Sequence, residues 1–362
     1  MLTKIGGGSA INRITMKDIA KIAGTSLSTV SRSLNNHPSI SEETRRRIQA
    51  IARSYDFEVN MSARSLATSR NSTIGLIYPE SLDNEDNFSY AGMLLRNIRE
   101  ILEAAGLDLL ISFTTHHATG ESNIKRLIRQ GKVDGMLLIQ PFLDSVDFAD
   151  LKESGVPYIL LHFLPEGLPA GEVNYVYADH VYGGYIATRH LIGLGCGSIL
   201  CITERERQFR ERTEGFRAAH REAGLPVYEQ LIHSDDASYE AGYRSIYRYK
   251  EELEGIDGIF VQSDIAALGA MEALNELDIH IPEDIPLVGY DDIRMASIIR
   301  PRLTTVHQPH REIVQRACTR LVEMLSGASP QPPLQETLPP RLVIRDSAPQ
   351  GAFHKEQKNE RE

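Results

Sequence analysis

The sequence predicts an N-terminal all-α helix-turn-helix head joined to an α/β body of two lobes with parallel sheets. The first observation is charge: residues 1–70 hold 11 Lys and Arg against 5 Asp and Glu, a net +6, whereas the other 292 residues hold 28 against 44, a net −16. The second is that, from residue 73 onward, apolar runs alternate with amphipathic stretches. A small basic module is typical of nucleic-acid binding, and strand–helix alternation is typical of parallel sheets covered on both faces.

Length and composition set the outer limits. The 362 residues, 41% apolar and 24% charged, leave room for two or three globular domains of about 150 residues each. No run approaches about 18 apolar residues, so no membrane-spanning helix is expected. The N-terminus lacks the apolar core of a secretory signal, so we expect a cytoplasmic protein. The three cysteines lack metal-ligand spacing, and we expect them to be reduced, with no bound metal and no cofactor.

The first two helices of the head are predicted from their capping residues. Thr15 and Asp18 form a capping-box pattern that begins the first helix, and Gly24 ends it with a sharp turn. Ser26 is a candidate N-cap for a second helix from Leu27 to Leu34, because its hydroxyl can accept an unpaired backbone N–H. A helix, a glycine-containing turn and a second short helix form a helix-turn-helix arrangement.

The second helix is unusually polar, and Ser41 is the predicted cap of a third helix that follows it. Short donors and acceptors with one long cation let a helix backbone approach the floor of the major groove, where an arginine can bond both O6 and N7 of guanine. The alternative interpretation is an exposed, serine-rich helix with no ligand. The polar residues concerned are Ser26, Ser28, Thr29, Ser31, Arg32 and Ser33.

Three segments, Thr15–Ala20, Ala23–Ser26 and Ser28–Asn35, carry a dense pattern that continues to Asn60. With this pattern the head resembles the DNA-binding domain of the lactose-repressor/galactose-repressor (LacI/GalR) family. The resemblance implies that Leu27, Ser28 and Arg32 contact the bases of double-stranded operator DNA. The full set of DNA-binding residues expected on this basis is Thr15, Ser26, Leu27, Ser28, Thr29, Ser31, Arg32, Asn35, Asn60, Ser62, Ala63 and Leu66.

Residues 60–72 are predicted to be a hinge helix and linker. Asn60 can cap one or two turns ending near Ala67, and so short a helix is marginal when isolated. In the LacI/GalR family this segment folds on operator DNA, and the paired hinge helices of a dimer enter the minor groove. Leu66 falls where the family inserts a leucine into a base step, at an unstacking cost of a few kcal/mol. The alternative is a polar linker with one isolated leucine.

The body is predicted from its alternating elements, whose number indicates two sheets. Candidate strands are Thr73–Tyr78, Leu107–Ser112, Asp134–Gln140, Tyr158–His162, Ser198–Thr203, Ile256–Gln262 and Ile285–Tyr290. Candidate helices are Tyr90–Ala105, Glu121–Gln130, Tyr182–Ile192, Arg212–Ala223, Tyr239–Glu251, Asp264–Leu277 and His310–Leu325.

The body also resembles the LacI/GalR family, in segments such as Gly183–Leu191, Gln262–Ala270 and Val288–Asp292. The resemblance implies a periplasmic-binding-protein-like fold, with two lobes joined by three crossovers and a ligand between them. The expected boundaries are a disordered extension at 1–13, a helix-turn-helix domain at 14–59, the hinge and linker at 60–72, an effector-binding and dimerisation domain at 73–346 and a polar disordered tail at 347–362. Lobe 1 comprises about 73–177 and 308–327, and lobe 2 about 178–305 and 332–346.

Ligands of open α/β sheets bind at the carboxyl ends of the strands, and several polar residues fall there. An arginine and one or two aspartates can hold vicinal hydroxyls, which suits a sugar or sugar derivative. Arg205, Arg207 and Arg210 could bind an anionic group, so a phosphorylated or carboxylate ligand is an alternative. Each site residue also has a purely structural alternative role, such as a helix cap or a surface ion pair. The effector-binding residues expected from position and resemblance are Phe88, Tyr90, His162, Phe209, Arg212, Ser263, Asp264, Asp291 and His310.

The expected function is that of a DNA-binding transcriptional regulator, namely a repressor, of a sugar-uptake or catabolic operon. We expect it to act as a homodimer that binds a small-molecule effector and does not associate with a membrane. Two alternatives remain: an extracytoplasmic sugar-binding protein of a transport system, and an α/β sugar-modifying enzyme. The missing signal sequence and the basic head disfavour the first. The lack of a phosphate loop, a nucleophile elbow or a metal-binding helix motif disfavours the second.

Overall fold

The computed structural model describes residues 14–34, 37–55, 57, 70–79, 88–139, 145–162, 164, 171–327 and 332–351. The chain divides into two compact units, residues 1–71 and 72–362, which correspond to the head and the body. The predicted N-terminal extension and residues 60–69 of the predicted hinge lie outside the described residues. Each unit is therefore considered by itself.

The described part of the head contains helices α1, α2 and α3, which are Met16–Ile22, Leu27–Leu34 and Glu42–Ser54. The predicted caps are confirmed. Thr15 and Asp18 form the reciprocal capping box of α1. Ser26 Oγ accepts the Thr29 N–H at 3.1 Å at the start of α2. Ser41 caps α3. These bonds satisfy backbone donors that the first turn of a helix leaves without partners.

The three helices of the head share one small apolar core. Ile19, Val30 and Ile48, one from each helix, are fully buried in it. Burial of such a side chain is worth about 1.5–3 kcal/mol. Gly24 has φ +60°, which gives the chain the turn between α1 and α2 at no steric cost. The core therefore fixes α2 on one side and leaves its other side exposed.

Two sheets form the body. The strands of lobe 1 are β1 Thr73–Tyr78, β2 Asp108–Phe113, β3 Gly135–Leu138, β4 Tyr158–Leu161, β5 Tyr175–Ala178 and β11 Gln335–Leu338, in the parallel order β11-β5-β4-β3-β1-β2. The strands of lobe 2 are β6 Ile199–Thr203, β7 Ile232–Ser234, β8 Gly258–Val261, β9 Leu287–Asp291, β10 Thr304–His307 and β12 Arg341–Val343, in the order β12-β10-β9-β8-β6-β7. In lobe 2, β12 is antiparallel to β10 and the other neighbours are parallel.

Helices cover both faces of each sheet. They are α4 Phe88–Ala104, α5 Asn123–Arg129, α6 Ser145–Ser154, α7 His180–Gly193, α8 Arg207–Glu222, α9 Tyr239–Arg248, α10 Asp264–Glu276 and α11 His310–Leu325. Consecutive strand residues pack into separate apolar cores on the two faces of the sheet. Leu160 and Leu161 do so in lobe 1, and Leu200 and Cys201 do so in lobe 2. This two-sided burial explains why the strands are continuously apolar in the sequence.

The chain passes between the lobes at three places, from β5 to α7, from β10 to α11 and from β11 to β12. Two of these crossovers touch, because the Asp179 N–H donates to the Leu338 carbonyl at 2.9 Å. The predicted two-lobed α/β architecture is confirmed. In the described part of the chain no helix has the length and apolar character needed to cross a membrane.

Several predicted boundaries are wrong. Residues 332–346 were expected in lobe 2, but β11 pairs with β5 in the sheet of lobe 1, and the chain changes lobe only between β11 and β12. The expected tail at 347–362 begins too early, since Ser347 and Ala348 are fully buried and the Ser347 hydroxyl donates to the Leu287 carbonyl at 2.6 Å. The helix predicted from Arg212 begins five residues earlier, at Arg207. Strands β5, β7, β10, β11 and β12 and helix α6 were not predicted.

Candidate functional site

The N-terminal turn of α2 is organised by hydroxyl groups. Ser26 Oγ lies 2.8 Å from both Ser28 Oγ and Thr29 Oγ1. A hydroxyl has one donor and two acceptor positions, so this cluster keeps bonding capacity for an outside partner. The cluster also fixes the rotamers of these short side chains before any partner arrives. The surface it forms is small and polar.

Leu27 and Arg32 are the long exposed side chains of α2, and Leu27 is 46% exposed. Ser28 and Arg32 are four residues apart and share one face of the helix. A guanidinium matches O6 and N7 of guanine, and an aliphatic side chain matches the methyl group of thymine. The exposed face of α2 therefore has the chemistry of base recognition in a major groove.

The other predicted DNA-binding residues have varied positions. The hydroxyl of Thr15 donates to Asp18 at 2.6 Å, and this bond lowers the pKa of the aspartate. Ser31 is partly buried on α2. Asn35, Asn60, Ser62, Ala63 and Leu66 lie outside the described residues.

Arg212 is the central cation of the body, and it is 4% exposed. Its guanidinium carbon lies 3.7 Å from the centroid of the Tyr290 ring and 4.6 Å from that of Phe209. Its Nε donates to His180 Nδ1 at 3.2 Å, and Nη1 donates to the Gln262 carbonyl. Stacking and hydrogen bonds thus hold the guanidinium flat at the carboxyl end of the sheet of lobe 2.

Asp291 faces Arg212 from the end of β9, with Oδ1 3.8 Å from Nη2. Its Oδ1 accepts a hydrogen bond from Gln308 Nε2 at 2.7 Å, and Gln308 belongs to the β10–α11 crossover. Burial raises the pKa of Asp291 to about 6, against the opposing effect of Arg212. Asp291 therefore links the candidate ligand site to a segment that joins the two lobes.

The turn after β9 is held in an uncommon backbone conformation. Asp291 has φ +114° and Asp292 has φ +55°, a region that aspartate tolerates better than most residues. The Asp292 carboxylate accepts hydrogen bonds from Arg345 at 2.5 Å and interacts with His307 at 2.9 Å. These contacts fix the direction in which Asp291 points.

Asp264 supports the same turn from inside lobe 2. It is fully buried, and its two oxygens accept hydrogen bonds from Thr305 Oγ1 at 2.6 Å and from the Ile293 N–H at 2.9 Å. Burial and the neighbouring charge of Asp291 raise the pKa of Asp264 well above its ordinary value. Each carboxylate oxygen already accepts one hydrogen bond within the lobe, and the predicted effector contact of Asp264 stays a prediction.

Two histidines of lobe 1 lie together. His162 follows β4 with φ +65°, His310 begins α11, and their ring centroids are 5.2 Å apart. Burial lowers the pKa of His162 well below its ordinary value and that of His310 to about 3. Both imidazoles are therefore neutral at physiological pH.

The remaining predicted effector residues differ in what the structure shows. Phe209 forms the apolar floor beneath the Arg212 guanidinium, and Ser263 is buried, with Oγ 3.4 Å from the Ala237 carbonyl. Phe88 and Tyr90 belong to α4, but their side chains lie outside the described residues. The structure thus brings Phe209, Arg212 and Asp291 together in lobe 2, and His162 and His310 together in lobe 1.

Comparison with known proteins places the chain in a family. Two family models match it: "Bacterial regulatory proteins, lacI family" at residues 15–60 and "Periplasmic binding protein-like domain" at residues 188–348. The HTH-type transcriptional regulator DegA of Bacillus subtilis (strain 168) is 30% identical over 340 residues, which cover 92% of this chain and 98% of DegA. The chain belongs to the lacI family of bacterial regulatory proteins.

Other members resemble this lacI-family chain along most of its length. The ribose operon repressor of Escherichia coli (strain K12) is 29% identical over 344 residues, covering 92% of this chain and 99% of the repressor. A solved structure described as a transcriptional regulator CelR–cellobiose complex is 28% identical, with a TM-score of 0.67, and covers 92% of this chain and 100% of that one. These relatives are transcriptional regulators.

Three residues of this lacI-family site were not predicted from the sequence. Gln308 holds Asp291, and His180 accepts the Nε–H of Arg212. Glu204 follows β6, where burial and the charge of Glu206 raise its pKa to about 7. Glu204 directly follows the apolar strand β6, and His180 comes two residues after the apolar strand β5. A polar residue just past the end of an apolar strand is the signal that could have indicated both.

Proposed function

We propose that this protein is a sequence-specific transcriptional repressor of a sugar-uptake or catabolic operon, controlled by a small-molecule effector bound between its two lobes. The observation that carries the proposal is the exposed face of α2, where Ser28 and Arg32 lie on one side of a helix fixed by its own core and caps. The match of the head to the lacI-family model supports it, as do relatives such as the ribose operon repressor.

The effector half of the proposal is supported by Arg212 and Asp291. A guanidinium donor beside a carboxylate acceptor can hold adjacent hydroxyl groups, and the ring of Tyr290 gives the pair an apolar support. The pair lies at the carboxyl end of a mostly parallel sheet, where ligands of such folds bind. The CelR relative, whose structure contains cellobiose, supports a sugar or sugar derivative as the effector.

The proposed mechanism couples lobe closure to DNA binding. In a cytoplasmic homodimer, two heads and two hinge segments would bind a pseudo-palindromic operator. An effector that bridges the lobes favours one arrangement of the crossovers, and the Asp291–Gln308 bond transmits its presence to one of them. A coupling free energy of about 1–3 kcal/mol gives about 5- to 150-fold regulation of DNA affinity.

The test begins with a duplex selected from a randomised pool by the full-length protein. Arg32→Ala should weaken binding to this duplex by about tenfold or more, because a bidentate arginine–guanine contact contributes about 1–3 kcal/mol. Binding to unrelated duplex should change by less than about threefold. Fluorescence anisotropy measures both affinities.

Arg53→Ala is the matched control, since it removes one positive charge from the exposed surface of α3 and leaves α2 unchanged. This variant should lower both affinities slightly and to the same extent. Failure of the wild-type chain to select any duplex sequence would contradict the proposed function.

A further inference from the structure

We propose that the effector is an acidic sugar, an aldonic or uronic acid, whose carboxylate accepts a hydrogen bond from Nε2 of His180. The inference rests on the proposed function, because it names the chemical class that the same site recognises. It assigns His180 as a binding residue and gives the two ends of the ligand different partners.

His180 is held in one tautomer by its neighbours. The ring is 1% exposed and begins α7, directly after the crossover from β5. Nδ1 lies 3.2 Å from Arg212 Nε and 2.9 Å from the Tyr290 hydroxyl. An arginine Nε–H only donates, so Nδ1 is the acceptor and the proton of the neutral ring is on Nε2.

Nε2 of His180 is a buried donor with no hydrogen-bond partner among the described residues. Buried N–H groups in folded proteins are almost always paired, so a group of this kind requires an explanation such as a ligand. The ring is fixed on its other side by Arg212, Tyr290 and an edge contact with Tyr177, with centroids 4.8 Å apart. The donor is therefore preorganised.

The surroundings of His180 favour an anion. Burial and the guanidinium charges of Arg212 and Arg207 lower the pKa of His180, and Nε of Arg212 lies 3.2 Å from the ring. A carboxylate that accepts a hydrogen bond from Nε2 of His180 forms a charge-assisted bond, which is stronger than a bond to a neutral hydroxyl.

The two carboxyl groups of the site favour hydroxyl groups. Asp291 is an acceptor at the end of β9, and Glu204 is a second carboxyl group after β6, close enough to Arg212 for its charge to be felt. Carboxylates accept hydrogen bonds from sugar hydroxyls and repel another anion. A ligand with one acidic end and several hydroxyls matches both sides.

A phosphorylated sugar fits this geometry less well than a carboxylate. A phosphate dianion is usually held by several cationic or backbone donors. Two further arginines of α8 already have hydrogen-bond partners: Arg207 bonds Glu211 at 2.8 Å, and Arg210 donates to the Arg205 carbonyl at 2.5 Å. Arg212 is already bonded to His180 and to the Gln262 carbonyl. One preorganised N–H beside a guanidinium whose Nε and Nη1 are already bonded suits a monoanion.

The experiment measures binding of sugar pairs to the full-length protein by isothermal titration. The probes are D-gluconate, D-glucuronate and D-galacturonate, with the corresponding aldonates and uronates of pentoses. Each acid is compared with its neutral parent sugar and with the phosphate ester of that sugar. We expect at least one acid to bind at least tenfold more tightly than both of its counterparts.

Two variants isolate the donor. His180→Gln retains an N–H near the position of Nε2, whereas His180→Leu has a similar volume and no donor; both remove the Nδ1 acceptor that Arg212 uses. The tenfold preference for the acid should persist in His180→Gln and fall below threefold in His180→Leu. Equal preference in the two variants would overturn the assignment of His180.

Other outcomes separate this inference from the proposed function. A neutral sugar or a sugar phosphate that binds more tightly than every acid overturns the inference and leaves the sugar-responsive repressor intact. If no sugar of any class binds while the protein still selects a duplex sequence, the inference and the sugar half of the proposed function both fail. A chain that selects no duplex contradicts the DNA half.

Discussion

At the scale of single residues, burial decides which groups of the effector site carry charge. The pKa of His310 falls to about 3 and that of His162 also falls, so both imidazoles are neutral. Burial moves the pKa of Asp291 in the opposite sense, to about 6, because it disfavours the ionised carboxylate.

The lowered pKa of His310 predicts a pH-dependent contribution to stability. Since the folded-state pKa lies below the ordinary value, the stabilisation is present above about pH 6.5 and is lost as the pH falls, when the unfolded chain takes up the proton. At pH 5.5 the loss is about 1 kcal/mol. His310→Gln removes this dependence. Thermal unfolding at pH 7.5 and 5.5 should therefore show a smaller decrease in melting temperature for the variant than for the wild type.

His280→Gln is the control for this measurement, because His280 is exposed on lobe 2, with 75% of its side chain accessible. Its melting temperatures should follow those of the wild type at both pH values. An identical pH dependence in wild type and His310→Gln would show that His310 is not a buried neutral group.

At the same scale, local signals predicted some residues and missed others. The caps of α1, α2 and α3 were predictable because Thr15, Ser26 and Ser41 bond to backbone groups three residues away. The hydrogen bonds of Asp264 were not, because its partners Ile293 and Thr305 are 29 and 41 residues distant in the chain. Only the packing of β9 and β10 beside α10 brings them together.

At the scale of elements, close helix contact positions the arginine of the site. Helices α7 and α8 pack so tightly that a Cβ on Gly184 would lie 1.9 Å from the Arg212 carbonyl oxygen, and one on Gly215 would lie 2.0 Å from the Val181 carbonyl oxygen. Glycine at these positions removes the side chains that would separate the helices. The backbone of Arg212 is therefore fixed by a neighbouring helix as well as by its own.

Gly184→Ala should thus disturb both stability and the effector site. The added methyl group must push α8 away from α7, and overpacking of this kind costs about 1–3 kcal/mol or more. Chemical denaturation should show a lower free energy of unfolding, and any effector should bind more weakly because Arg212 moves. The Gly193→Ala variant is the matched control.

Gly193 is the last residue of α7, and a Cβ there meets nothing within 4 Å. Replacement by alanine at such a helical position is expected to be neutral or to stabilise by up to about 1 kcal/mol. If both glycine variants had the same stability as the wild type, the close packing of α7 on α8 would not be required.

Element length explains which parts of the fold were predictable. Long amphipathic helices such as α11 were predicted with their observed ends, His310 and Leu325. Strands β7 and β12 have three residues each, too few for a periodic pattern to emerge. The partly exposed β11 was assigned to the wrong lobe because its partner β5 lies about 160 residues earlier, a pairing that depends on tertiary structure.

At the scale of the whole molecule, charge is divided between the two units. The head region, residues 1–70, carries +6 and the rest of the chain −16. Such a division concentrates attraction for a polyanion in the small unit, while the acidic body opposes contact of DNA with the rest of the surface. The net charge of −10 conceals this arrangement, which only the distribution of charge along the chain reveals.

This division predicts a steep dependence of DNA binding on salt. A protein that neutralises several phosphates releases their counterions, and six to ten such contacts lower affinity by about 10³–10⁵-fold between 50 and 200 mM salt. The affinity of the full-length protein for its selected duplex should therefore fall at least about hundredfold over this range, as measured by fluorescence anisotropy.

Arg189→Gln is the control, because it removes an exposed cation of the body that is paired with Glu222. It should leave the slope of DNA affinity against salt concentration unchanged. A slope that is shallow in the wild type, or that changes in Arg189→Gln, would mean that the phosphates are contacted by surfaces other than the basic head.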